Sequence, residues 1–357
     1  MGTSAPPQPT AQVTTLATPA REFMRIHRAP LVALACTLLL AVAALAALCM
    51  GIVSLTPIET LRALVDPART DERAVAVVWS IRLPRIAVAA LVGAALATTG
   101  VVMQALLRNP LAEPGITGVS AGAAVGAVAG ITLGLSGSAL WGVPLAAFAG
   151  ATVVTLILQF VLQARKDLGS PTIILVGVSL SALAGALINV LIANAADDAL
   201  VRSAMFWLAG DLELRNWQHA AIATVPILIG IGYFLTRIRA LDALALGEQI
   251  AATSGVHVGR ERTVLLLVAS LVTGAAVAVS GIISFVGLVV PHAMRLVLGA
   301  SHARLLPFSA LGGALFMVLA DTVARTAFGA TVVQTGVVAA LVGAPIFLFL
   351  LLRRQQS

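Results

Sequence analysis

The stretch GAALATTGVV, residues 93–102, aligns without a gap on GAAVAVSGII, residues 274–283. The likeness continues outward in the same order. PLAAFAGATVVTL (144–156) echoes PFSALGGALFMVL (307–319), and GVSLSALAGALINVL (177–191) resembles GVVAALVGAPIFLFL (336–350) once a single gap is allowed. All of these segments are apolar runs rich in Gly and Ala, so the question is what surrounds them.

The surroundings are as apolar as the repeats. Hydrophobic residues make up 59% of the 357, and charged residues only 10%. Mean hydropathy is +1.02. A soluble domain carries about 25% charged residues. The long runs lack period-2 alternation, so the sequence predicts an all-α integral membrane protein rather than a β-barrel. A span needs about 20 apolar residues. That rule places ten, near 31–52, 85–107, 115–134, 141–163, 171–194, 217–236, 263–283, 284–298, 305–323 and 332–352. The eighth is short and holds Pro291, and 200–209 reads as an extra helix beyond the fifth. Residues 1–30, Pro/Thr/Ala-rich and then basic, are expected to form a disordered cytoplasmic tail, and 31–354 the permease body.

Charge tests that count. With the N-terminus inside, the inner segments hold fourteen bases and six acids, and the outer segments eight bases and nine acids. The asymmetry fits the positive-inside rule with both termini cytoplasmic. The repeated pairs then fall in spans 2 and 7, 4 and 9, and 5 and 10. An odd offset of five makes the copies antiparallel, so spans 2–5 and 7–10 form an inverted repeat, an architecture typical of transporters. Small residues at Gly93, Gly100, Gly118, Gly122, Gly126, Gly274, Gly281, Gly312 and Gly313 suit close helix packing in lipid.

Several chemistries are disfavoured. GVSAG (118–122) fits G-x-S-x-G, but it opens a membrane helix instead of a strand–turn–helix elbow. No H-E-x-x-H or clustered Cys/His set exists, so no metal, catalytic or cofactor site is expected, and His292 reads as a packing residue. The sole lysine, Lys166, sits in QARKDLG, which is no phosphate-binding loop, so any ATP and Mg belong to a partner chain. An ion-coupled carrier is the alternative, weakened because spans 2 to 6 hold almost no acids.

The segments RLPRIAVAALVGAALATTGVVMQALLRNPLAEPGITGVSAGAAVGAV, LDALALGEQIAATSGV, SFVGLVVPHAMRLVLGASHARLLPFSALGGALFMVLADTVAR and GVVAALVGAPIFLFLLLRR resemble the permeases of iron-siderophore, haem and cobalamin ABC importers, over about residues 31–354. The resemblance implies a non-enzymatic transport subunit of a bacterial inner membrane, importing a metal chelate from the periplasm. It further implies a homodimer, two cytoplasmic ATPase subunits and a periplasmic binding protein. Family abundance favours an iron chelate, with cobalamin the alternative. Two departures stand out: a longer N-terminal tail, and Val333, Gln334 and Thr335 where the family usually has Leu-Pro before Gly336.

Three sets of residues carry the expected function. The cytoplasmic loop at about 237–262 has helical apolar spacing ending at Gly255, and Ala245, Leu246, Gly247 and Glu248 are expected to touch the ATPase. Along span 5, Ser179, Ser181, Asn189 and Asn194 are expected to share a face on the path, with Ser170 and Thr172 at an inner gate. Arg82, Arg85 and Arg325 lie on the outer side, where the positive-inside rule disfavours arginine. Their predicted role is to dock acidic residues of the binding protein.

Overall fold

The computed structural model describes residues 19–51, 53, 55–135, 141–164, 170–327 and 333–354. Helices fill most of this. They are α1 (Pro19–Cys49), α2 (Pro57–Val65), α3 (Glu72–Ala76), α4 (Leu83–Leu106), α5 (Val119–Thr132), α6 (Gly142–Ala164), α7 (Ser170–Ala193), α8 (Asp198–Leu208), α9 (Trp217–Thr236), α10 (Ile238–Leu246), α11 (Glu248–Thr253), α12 (Val258–Ser280), α13 (Val286–Leu298), α14 (His302–Thr326) and α15 (Thr335–Arg354). No strand occurs among the described residues. A π-helical turn, Val77–Arg82, joins α3 to α4 without a break. The helix α1 already begins at Pro19, inside the stretch expected to be a disordered tail; residues 1–18 lie outside the described set.

Seven helical segments are long and apolar enough to cross a membrane: within α1, α3 through α4, α6, α7, α9, α12 and α14. Three more apolar helices, α5, α13 and the Thr335–Leu350 part of α15, are shorter. Two of them, α5 and α13, follow residues of left-handed backbone. At the start of α5, Gly118 has φ +78, and before α13 Gly281 and Phe285 have φ +70 and +69. The conformation comes cheaply to glycine and is a strain at Phe285.

The core is built around α4, on which 18 residues are buried. It packs on α14, α12, α13 and α9, while α5 packs chiefly on α6 and α7. Backbone approaches backbone at these crossings. A Cβ on Gly93 would lie 2.0 Å from the carbonyl oxygen of Gly313, and one on Gly100 would lie 2.0 Å from that of Gly287. A Cβ on Gly126 would be equally close to Ala146 O, and one on Gly177 would lie 1.9 Å from Ile116 O. Lipid supplies no hydrophobic drive for such pairing, so contact distance sets its strength. At the outside of the bundle, α7 leaves Leu175, Val178, Leu183, Leu187 and Val190 exposed, and α15 leaves Leu341, Leu348 and Phe349 exposed.

Candidate functional site: an outer arginine frame, a mid-chain junction and a pinned coupling segment

Arg82, Arg85 and Arg325 do not form a free basic patch. Arg82 is 3% exposed, and its guanidinium donates to the carbonyls of Leu48 and Val53. Arg85 grips Asp321 with Nε at 3.0 Å from both oxygens and Nη2 at 2.8 Å from Oδ1. Arg325 pairs with the other side of the same carboxylate, Nε to Oδ2 at 3.2 Å. Its Nη1 and Nη2 donate to Met50 O and Ala47 O, each at 3.3 Å. Thr335 completes the set, its hydroxyl donating to Asp321 Oδ1 at 2.9 Å.

Four of those carbonyls belong to the end of α1 and the residues just after it. The last carbonyls of a helix lack intrahelical partners and carry partial negative charge. Here guanidinium groups from α4 and α14 satisfy them. Asp321 neutralises part of the charge and ties α4, α14 and α15 together. The side chains turn inward because α1 and Asp321 offer acceptors that solvent-facing rotamers would leave unpaired. Asp321 was not among the residues singled out from sequence. Its spacing of four from Arg325 was the available signal.

The connections ahead of α5 and α13 meet in space. Glu113, before α5, accepts the Phe285 backbone N–H at 3.3 Å on Oε2, ahead of α13. Gln104 Nε2 donates to Gly287 O at 3.3 Å. A recess lined by Leu96, Glu113, Ser120, Ile283 and Phe285 lies between them.

The loop predicted to be one helix is two. Gly247 sits between α10 and α11 at φ +129, ψ 156, a region open essentially to glycine. After α11, Val256 N bonds to Ala251 O at 3.0 Å and Gly255 N to Ala252 O at 3.1 Å. With Gly255 at φ +81, this closes the segment by a Schellman motif, as its sequence predicts. Three contacts pin the segment down. Arg237 pairs with Glu261 at 3.3 Å, Glu248 with Arg262 at 3.1 Å, and Asp242 with His302 at 2.6 Å. Burial works to raise the Asp242 carboxyl, but the His302 hydrogen bonds and charge outweigh it and hold the group below its ordinary range. Of the four expected contact residues, Ala245, Leu246 and Glu248 are exposed, Leu246 to 69%. Gly247 is buried at the bend, and Glu248 already has a partner in Arg262.

The path residues of α7 are split. Ser179, Asn189 and Asn194 are exposed, with Ser179 Oγ and Asn194 Nδ2 bonded to the carbonyls of Leu175 and Val190. Ser181 lies on the opposite side, its hydroxyl 3.5 Å from where a Gly118 Cβ would stand. At about 100° per residue, positions 179 and 181 cannot share a face, which corrects that expectation. Thr172 is half-buried, Ser170 begins α7, and the gate segment before it, along with the Ser170 side chain, lies outside the described residues.

Seven long apolar helices packed through small residues, with a short two-helix segment pinned against them, are the build of a multi-pass membrane protein. The chain belongs to the FecCD transport family, which it matches over residues 39–353. This is a family of ABC-transporter permease subunits, that is, transport components. Among its relatives is the cobalamin import system permease protein BtuC of Halobacterium salinarum, 45% identical over 80% of this chain and 75% of that one. The vitamin B12 import system permease protein BtuC of Salmonella paratyphi A is 41% identical over 90% and 94%. A solved inward-facing structure of a metal-chelate type ABC transporter superposes with TM-score 0.81 at 33% identity, covering 91% of this chain and 99% of that one.

Proposed function

We propose that this chain is the membrane subunit of an importer that moves a metal chelate inward on ATP hydrolysed by a separate subunit. Both named relatives import cobalamin, so a corrinoid replaces an iron chelate as the first substrate to test. The working unit is a homodimer joined along α7 and α15, whose apolar faces are exposed, with two ATPase subunits below and a binding protein above. It sits in the cytoplasmic membrane with α5, α13 and α15 counted as spans, making ten, and with both termini inside. Arg82, Arg85 and Arg325 serve as the frame beneath the docking surface.

The observation that carries the proposal is the pinned coupling segment. A free amphipathic loop would lie on lipid headgroups. This one is held by two ion pairs and the Asp242–His302 hydrogen bond, yet it presents Leu246, 69% exposed, at a fixed bend. That is a knob for a protein cleft. In proteoliposomes containing the chain, its ATPase and binding protein, cyanocobalamin, a ferric siderophore and haem are supplied in turn. We expect uptake of cyanocobalamin and loss of both uptake and ATPase co-purification in Leu246→Arg. Full assembly and uptake in Leu246→Arg would overturn the coupling reading.

A further inference from the structure

We infer that the Asp242–His302 contact is the joint through which the coupling segment moves α14, making the two positioning residues for transport. The inference rests on the coupling reading above.

The joint is specific in geometry. Asp242 Oδ1 accepts from the His302 ring at Nδ1, 2.6 Å away, and from its backbone N–H at 3.0 Å. His302 is the first residue of α14. The helix has Ser301 at its N-cap, but that side chain makes no capping bond. A carboxylate from another helix therefore caps α14, where negative charge is favoured. The His302 side chain is 4% exposed, and its Nε2 is buried with no hydrogen-bond partner among the described residues. Such an imidazole costs more than a packing residue of the same size, which argues that its one bond matters.

What α14 carries makes the joint consequential. At 25 residues it is about 37 Å long. Gly93 and Gly313 press it backbone-to-backbone onto α4, so the two helices move as one body. Near the far end of that body, Asp321 holds Arg85 of α4 and the Thr335 hydroxyl at the start of α15. A displacement of α10 thus reaches the first turn of α15 through the one stiff helix pair, with the carboxylate–imidazole contact as the polar link to α14 beside the apolar packing of Leu241 and Leu244. The Arg237–Glu261 and Glu248–Arg262 pairs bind the segment to α12 instead, so they form a separate route.

The test follows nucleotide-driven motion, independent of substrate. The full complex with its ATPase, in lipid nanodiscs, carries spin labels at Thr326→Cys on the outer end of α14 and Arg202→Cys on α8, with Cys36→Ala and Cys49→Ala. Distances are compared without nucleotide and with vanadate-trapped ATP. The parent should show a shift that falls to less than half in Asp242→Ala and His302→Gln and is retained in Asp242→Glu, with the ATPase still bound in all. If Asp242→Ala fails to fold, Asp242→Asn takes its place with the same expectation. An undiminished shift in the Asp242 and His302 variants, or no shift in the parent, overturns the inference. Failure of the underlying reading shows separately, as an ATPase that stays bound to Leu246→Arg.

Discussion

Asp321→Ala should be among the most damaging single changes in the chain. The carboxylate is 2% exposed and receives Arg85, Arg325 and Thr335 between 2.8 and 3.2 Å. Removing it leaves two largely buried guanidinium groups facing each other and the Thr335 hydroxyl without its acceptor. Breaking a buried ion pair by deleting one partner costs about 3–5 kcal/mol, since the surviving charge stays desolvated. Arg325 also keeps its bonds to Met50 O and Ala47 O, which retain part of its solvation, so the lower half of that range applies. We expect a loss of about 3 kcal/mol, roughly a hundredfold in the folding equilibrium. Asp321→Asn, which keeps an acceptor oxygen, should fall between it and the parent. SDS titration from mixed micelles, followed by the fluorescence of the four tryptophans, measures the change. The double variant Arg85→Met with Asp321→Ala should recover part of the loss, as the uncompensated charge disappears with its partner. A loss under about 1 kcal/mol for Asp321→Ala, or a double variant as poor as the sum of the singles, would refute a charge-paired frame.

Two further outcomes follow from the geometry. Gly93→Ala drives a Cβ to 2.0 Å from Gly313 O, a backbone atom that cannot swing away, and should cost upwards of about 1–3 kcal/mol in the same titration; Gly232→Ala, with nothing within 4 Å, should be neutral or stabilising by about 0.4–1 kcal/mol. At α2, the Thr56 backbone N–H bonds Glu59 at 2.8 Å and lowers its carboxyl, with the Thr56 hydroxyl adding to the effect. A carboxyl lowered by folding stabilises above its unfolded pKa and loses that contribution as pH falls through the folded value, so amide protection over 59–63 should hold at neutral pH and decline in acid below the ordinary carboxylate range. Hydrogen exchange on Glu59→Gln, expected to lack this acid step, checks the assignment.

Much of the fold could be read from composition, because hydrocarbon thickness fixes helix length. The runs read as 85–107, 171–194 and 217–236 became α4, α7 and α9 within two residues at either end. The breaks were harder. Nothing local announces that Phe285 adopts a left-handed conformation, since Glu113 holds its N–H from 172 positions away. Gly247 was readable as a small contact residue but not as a bend, because glycine is equally common inside membrane helices. The arginines show the sharpest divide. Their place at helix ends was legible from the apolar runs, but their partners were not: Arg85 and Asp321 stand 236 residues apart, and only the tertiary fold decides whether such an arginine meets solvent or a carboxylate. Thr335, noted as a departure from the usual Leu-Pro, proved to be a donor to that carboxylate.

The short helices have a consequence for how the chain is made. At 14 and 13 residues, α5 and α13 are about 20 Å long, against a hydrocarbon layer of about 30 Å. Neither can leave the insertion machinery for lipid alone without stranding backbone amides in oil. Each must wait for a longer neighbour: α5 for α4 or α6, whose Ala146 carbonyl it abuts through Gly126, and α13 for α12 or α14. Counted as spans, α5 and α13 would enter the membrane only beside a longer helix, and α4, the most buried of the long helices, offers the largest packing surface.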